Sequence, residues 1–122
     1  MRRTALVVDD SRMIRKVSRR ILEELRYEVG EAENGREALA WCKAAMPGLI
    51  LLDWNMPVMS GIEVVAELRA MPGGTGPKVV FCTTNSEGPA IEAALRGGAD
   101  GYVVKPFTAE SLQAQLERIR AV

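Results

Sequence analysis

Apolar residues along this chain follow two rhythms. Five short runs are rich in β-branched or aromatic residues: Thr4–Val8, Tyr27–Glu31, Leu49–Leu52, Lys78–Cys82 and Gly101–Val104. All but the second are nearly unbroken, as expected of strands buried on both faces. Between the runs, apolar residues recur at intervals of three and four, the helical period. Met13, Ile14, Val17, Ile21, Leu22 and Leu25 form one such set, and Ile62, Val65 and Leu68 another. Leu39, Cys42 and Ala45 repeat more weakly, Ile91, Ala94 and Leu95 mark a short helix, and Leu112, Leu116 and Ile119 close the chain. Helix starts are marked by "NGRE" (Asn34 to Glu37) and "SGIE" (Ser60 to Glu63), which place a capping side chain three residues before a Glu. Thr108 can cap the last helix. "MPGGTGPK", Met71 to Lys78, is a loop cluster that ends the third helix.

Strand and helix alternating five times predict an α/β fold. It is a (βα)5 doubly wound, five-stranded parallel sheet with helices on both faces. Its expected strand order is 2-1-3-4-5, the flavodoxin-like one. In such sheets ligands bind beyond the carboxyl ends of the strands, where the strand order reverses. Asp9 and Asp10 follow the first run and Asp53 the third, two strands that are neighbours in this order. Thr83 and Thr84 follow the fourth run, and Lys105 the fifth.

Composition narrows the chemistry. With 122 residues, 48% hydrophobic and 26% charged, the chain has the size and profile of one globular domain. Sixteen basic and sixteen acidic residues cancel, so nothing in the charge points to nucleic acid. No apolar run approaches the ~20 residues needed to cross a bilayer, so no membrane partner is expected. Cys42 and Cys82 lie in apolar surroundings and read as packed, reduced thiols of a cytoplasmic protein. There is no histidine, which removes His-based zinc sites, Ser-His and Cys-His nucleophile pairs, and any phosphohistidine of the chain's own. "GGTG", Gly73 to Gly76, follows a helix and lacks a trailing Lys-Ser/Thr pair, so it is no P-loop.

Taken singly, the rim residues have ordinary roles. Asp9 and Asp10 could cap the first helix with help from Ser11, Asp53 could sit in a turn, Lys105 could be a solvated strand end, and Thr83 could fill a strand. None of these roles explains why all five fall on one edge. Three carboxylates in one place repel each other and call for a cation. A hard divalent ion with oxygen ligands, Mg²⁺, suits such a rim.

The strings "LVVDDS", "LILLDWNMPVMSG", "VVFCTT" and "GYVVKPFT", in this order and spacing, resemble the receiver domain of bacterial two-component response regulators, and most of all the stand-alone chemotaxis type. The resemblance spans essentially the whole chain. It implies one receiver domain over residues 1–122, with no output domain. Asp53 is then the phosphoacceptor. Mg²⁺ is held by Asp9, Asp10, Asp53 and the backbone carbonyl of Asn55. Thr83, chosen over Thr84 for its spacing from Lys105, and Lys105 itself take the phosphoryl oxygens. Lys105-Pro106 is expected to be cis. Thr83 and Tyr102 are the switch pair, with Tyr102 swinging inward as Thr83 moves; the plainer role for Tyr102 is a half-buried strand residue with its hydroxyl in water. Asn55 and Asn85 flank the phosphoryl group and govern water access.

The expected activity is that of a phosphoacceptor that catalyses its own phosphorylation and dephosphorylation, not of an enzyme acting on other substrates. A sensor histidine kinase or phosphotransfer protein supplies the phosphoryl group. The readout is the surface of the helix over Pro89–Asp100, the fifth strand and the last helix. With nothing after the last helix, the expected output is contact between a monomeric receiver and a protein target. The flagellar motor is one candidate; a phosphorelay intermediate or kinase-modulating regulator is the alternative. An Asp-nucleophile phosphohydrolase would place an acid two residues after Asp53, where this chain has Asn55. A degenerate receiver serving as a scaffold conflicts with the complete residue set. The bases Arg12, Arg15, Lys16, Arg19 and Arg20 share the first helix, as a solvated face or as a docking face for an acidic partner.

Overall fold

The computed structural model describes residues 3–54, 56, 58–84, 92 and 95–120. Five strands form one parallel sheet: β1 (Arg3–Val8), β2 (Tyr27–Ala32), β3 (Leu49–Asp53), β4 (Lys78–Thr83) and β5 (Gly101–Val104). Their order is β2-β1-β3-β4-β5, the flavodoxin-like order expected above. Four helices are described: α1 (Arg12–Glu24), α2 (Gly35–Ala44), α3 (Gly61–Ala70) and α4 (Ala109–Arg118). The helix expected over Pro89–Asp100 lies largely outside the described residues; Glu92, Leu95 and Arg96 are helical.

Period-two alternation along the buried strands feeds two cores. On one face Leu6, Val8, Ile50, Leu52, Val79 and Phe81 meet Cys42 of α2 and Val64, Val65 and Leu68 of α3. On the other, Ala5, Val7, Leu49, Leu51, Val80 and Val103 meet Leu22 of α1 and Leu112 and Leu116 of α4. Each large side chain buried in this way contributes roughly 1.5–3 kcal/mol. Both cysteines are buried and unbridged, as expected. No helix among the described residues is long and apolar enough to cross a membrane.

The capping signals hold. Asn34 accepts from the Glu37 backbone, Ser60 and Glu63 form a full capping box, and Thr108 caps α4 with Ser111 as its reciprocal partner. The apolar reading of α1 needs correction. Met13 is 74% and Val17 47% exposed, while Ser18 is fully buried. Spacing identifies a stripe, but not how much of it the sheet covers.

Candidate functional site

The ends of the strands set the site. β3 runs one residue further than its apolar run suggests, because Asp53 still pairs with Cys82, and β4 continues through Thr83, which pairs with Val104. Two candidate side chains therefore sit on the sheet ladder itself. Alternation gives them opposite faces. Asp53 continues the row of Leu49 and Leu51, and Asp9 the row of Ala5 and Val7, both toward the α1–α4 side. Thr83 continues the row of Val79 and Phe81, toward the α2–α3 side. Tyr102 is in register with Phe81, so it shares the Thr83 face; it is half-buried and packs at the margin of that core.

Asp9, Asp53 and Thr83 are buried polar residues, at 3%, 7% and 7% exposure, while Asp10 is exposed. The three acids converge: one carboxylate oxygen from each of Asp9, Asp10 and Asp53 lies within 4.8 Å of the others. Lys105 reaches into the same group. Its Nζ donates to Asp9 Oδ2 at 2.8 Å and lies 3.2 Å from Asp53 Oδ1. Burial alone lowers an ammonium pKa, but the hydrogen bond to Asp9 and the charges of Asp53 and Asp9 outweigh it, and Lys105 stands above the ordinary lysine value. The Lys105 backbone N–H donates to the Thr83 carbonyl at 2.7 Å, so the ends of β4 and β5 are tied at the site. The Lys105-Pro106 bond is cis, as the resemblance implies. The Cys82 thiol, buried between these strands, is pushed up by burial and is no nucleophile.

Asp9 is held at every polar atom. Its N–H donates to the Ala32 carbonyl at 3.1 Å. Its Oδ1 accepts from Ser11 N at 2.9 Å, its Oδ2 from Lys105, and its carbonyl from Arg15 Nη1 at 2.7 Å. The N-cap of α1 is Ser11, which accepts from Ile14 N, so Asp9 and Asp10 are spared that duty. Gly61 lets α3 begin against the site: a Cβ there would stand 2.9 Å from the Asp53 carbonyl and 2.5 Å from the Phe81 ring. Asn55, Asn85 and most of the expected switch helix lie outside the described residues.

Of the five basic residues on α1, Arg15 and Arg19 turn to Glu31, at 3.1 and 2.7 Å, while Arg12, Lys16 and Arg20 are exposed. The role of Arg15 at the Asp9 carbonyl has no signal in the sequence, because its acceptor there is main chain.

Among the described residues, the charged groups brought together here are three carboxylates and Lys105, and one ammonium leaves three carboxylates short of positive charge. Such a set fits a hard divalent ion, Mg²⁺, with Asp9, Asp10 and Asp53 as its holders.

Fold and pocket together define a class of doubly wound α/β proteins that gather a cation at the carboxyl rim of the sheet, at its switch point. Within that class, the chain belongs to the response regulator receiver domain family, whose model matches residues 5–117. It is 38% identical over 112 residues to the chemotaxis protein CheY of Halobacterium salinarum, covering 92% of each chain. The chemotaxis response regulator CheY4 of Vibrio cholerae has a solved structure with a TM-score of 0.92 at 36% identity, covering 98% of this chain and 99% of that one. The receiver domain of the sensor histidine kinase PA1611 from Pseudomonas aeruginosa has been solved with a magnesium ion coordinated in its active site cleft. It matches with a TM-score of 0.88 at 27% identity, covering 100% of both chains. CheY is itself a type example of the switch-point rule.

Proposed function

We propose that this protein is a phosphorylation-controlled switch of the CheY type, with Asp53 as the phosphoacceptor. The observation that carries this reading is the convergence of one carboxylate oxygen from each of Asp9, Asp10 and Asp53 within 4.8 Å, with Lys105 bridging Asp9 and Asp53. The donor is a phosphohistidine on a sensor kinase or phosphotransfer protein, as membership of the receiver family implies. An Asp53 oxygen attacks phosphorus, the phosphorus–nitrogen bond breaks, and the imidazole leaves with a proton from solvent. Mg²⁺, held by Asp9, Asp10, Asp53 and the Asn55 carbonyl, supplies positive charge to the phosphoryl oxygens when bound. Lys105 exchanges its Asp53 contact for a phosphoryl oxygen, and the Thr83 hydroxyl donates to another. Because Thr83 and Tyr102 share a face, a shift of Thr83 opens room on the side where Tyr102 packs, and the β5–α4 surface carries the change to a protein target. The same residues return the phosphoryl group to water, so Asp53 is both the group modified and the group restored.

A stand-alone receiver over residues 1–122, working in the cytoplasm, is supported by the likeness to CheY, of whose length 92% is covered. The 38% identity to CheY also favours a chemotaxis output such as the flagellar motor over a phosphorelay intermediate. The test is incubation with Mg²⁺ and acetyl phosphate, read by intact mass. One added phosphoryl group in the wild type and none in Asp53→Ala is expected; labelling that persists in the variant refutes the assignment of Asp53.

A further inference from the structure

The acid pocket has a second layer on its α1 side. Arg15 is 13% exposed in its side chain and donates in two directions at once. Nη1 reaches the carbonyl of Asp9 at 2.7 Å, and Nε reaches Glu31 Oε1 at 3.1 Å. Glu31 takes a second arginine, Arg19, on its other oxygen at 2.7 Å. Hydrogen bonding by Arg19, with a further bond from Arg15, holds the Glu31 carboxyl below the usual range against the effect of burial.

The grip on Asp9 has a geometric meaning. The Asp9 carbonyl belongs to the peptide unit that joins Asp9 to Asp10, so fixing that oxygen fixes the plane from which the Asp10 side chain departs. Asp9 is otherwise well held, through Ala32, Ser11 and Lys105. Asp10 is exposed. Its carboxylate nonetheless lies with those of Asp9 and Asp53. Glu31 has a matching task. It draws the guanidinium to the β2 side, so that its charge serves the carbonyl and leaves the space between the three carboxylates to another cation.

We propose that Arg15 is a positioning residue for divalent-cation binding, acting through the Asp9–Asp10 peptide, with Glu31 holding it in place. The inference rests on the Mg²⁺ site of the proposed function. Outer residues that orient ligating groups are typically worth ten- to a hundredfold in metal affinity. A lysine keeps the charge of Arg15 but lacks the planar fork that serves two acceptors at fixed spacing.

The test is Mg²⁺ affinity by isothermal titration calorimetry, on proteins checked as folded by circular dichroism. Arg15→Lys and Arg15→Ala are expected to bind Mg²⁺ about tenfold more weakly than wild type. Arg19→Ala, which loses the same Glu31 partner but makes no contact with Asp9, is expected to stay within about twofold. Wild-type affinity in Arg15→Lys overturns the proposal, whatever the fate of the alanine variant. An equal loss in Arg19→Ala also overturns it, because general loosening of α1 then accounts for the effect. A wild type that takes up no Mg²⁺ overturns the cation site itself, and this proposal with it.

Discussion

Each rim of the sheet holds a cationic side chain among its polar groups, in opposite ways. At the carboxyl rim, Lys105 sits among side-chain acids, bonded to Asp9 and 3.2 Å from Asp53. At the amino rim, Arg69 at the end of α3 sits among carbonyls. Its Nη1 donates to Gly74 and Pro77, both at 2.9 Å, and its Nη2 to Gly98 at 3.0 Å and to Asp100 at 3.3 Å. Asp100 Oδ2 in turn accepts from Val79 N at 2.8 Å. A guanidinium fork bonded to main chain has fixed partners and locks three segments together. A compact ammonium on a flexible stem, facing carboxylates, can change partners when charge arrives. One rim is fixed by its main-chain partners, and the other is the one that responds in the proposed switch.

The contrast can be broken in four ways. Asp53→Asn is expected to abolish phosphoryl uptake while moving unfolding free energy by less than about 1 kcal/mol, since it removes one of three mutually repelling acids. Mass spectrometry and urea melts on the same sample read both halves. Arg69→Ala is expected to do the reverse. It leaves three carbonyls without their charged donor and costs about 2 kcal/mol in urea melts, with Mg²⁺ affinity and phosphorylation retained. If that variant loses phosphoryl uptake while folded, the division between rims is wrong. Lys105→Met is expected to lose about 1 kcal/mol without divalent ions, through the missing bond to Asp9. Thermal unfolding with and without Mg²⁺ should show the deficit narrowing as the ion supplies positive charge.

The smallest effect is a pH dependence. The carboxyl of Glu31 is depressed, so its contribution is present above the unfolded value, about 4.3, and is lost as pH falls through the lower folded value. The stability gap between wild type and Glu31→Gln, under about 1 kcal/mol at neutral pH for this partly exposed group, should close in urea melts run below about pH 4.

What the sequence disclosed follows the same division. The responsive rim is written in side chains, so Asp9, Asp10, Asp53, Thr83 and Lys105 could each be read from the end of an apolar run, and the rule for parallel sheets brought them together. Alternation gave the parallel, doubly wound class but not the strand order, which was legible only as the flavodoxin-like one of the few it leaves open. The static rim is written in carbonyls, which every residue carries. Arg69 therefore gave no sign of its role, and neither did Arg15, whose helical spacing placed it among exposed bases. Met13 and Val17 show a third kind of blindness. Their period matches a buried stripe, yet the buried line of α1 runs through Ser18 and Leu22 and leaves both in solvent.

The bond from Lys105 N–H to the Thr83 carbonyl turns the distance between a hydroxyl and an ammonium into a main-chain dimension. The pair acts as a calliper whose jaws are side chains and whose hinge is the peptide. Replacing a jaw changes the grip and leaves the gauge untouched, whereas inserting one residue between Val104 and Pro106 resets the gauge with every chemical group still in place.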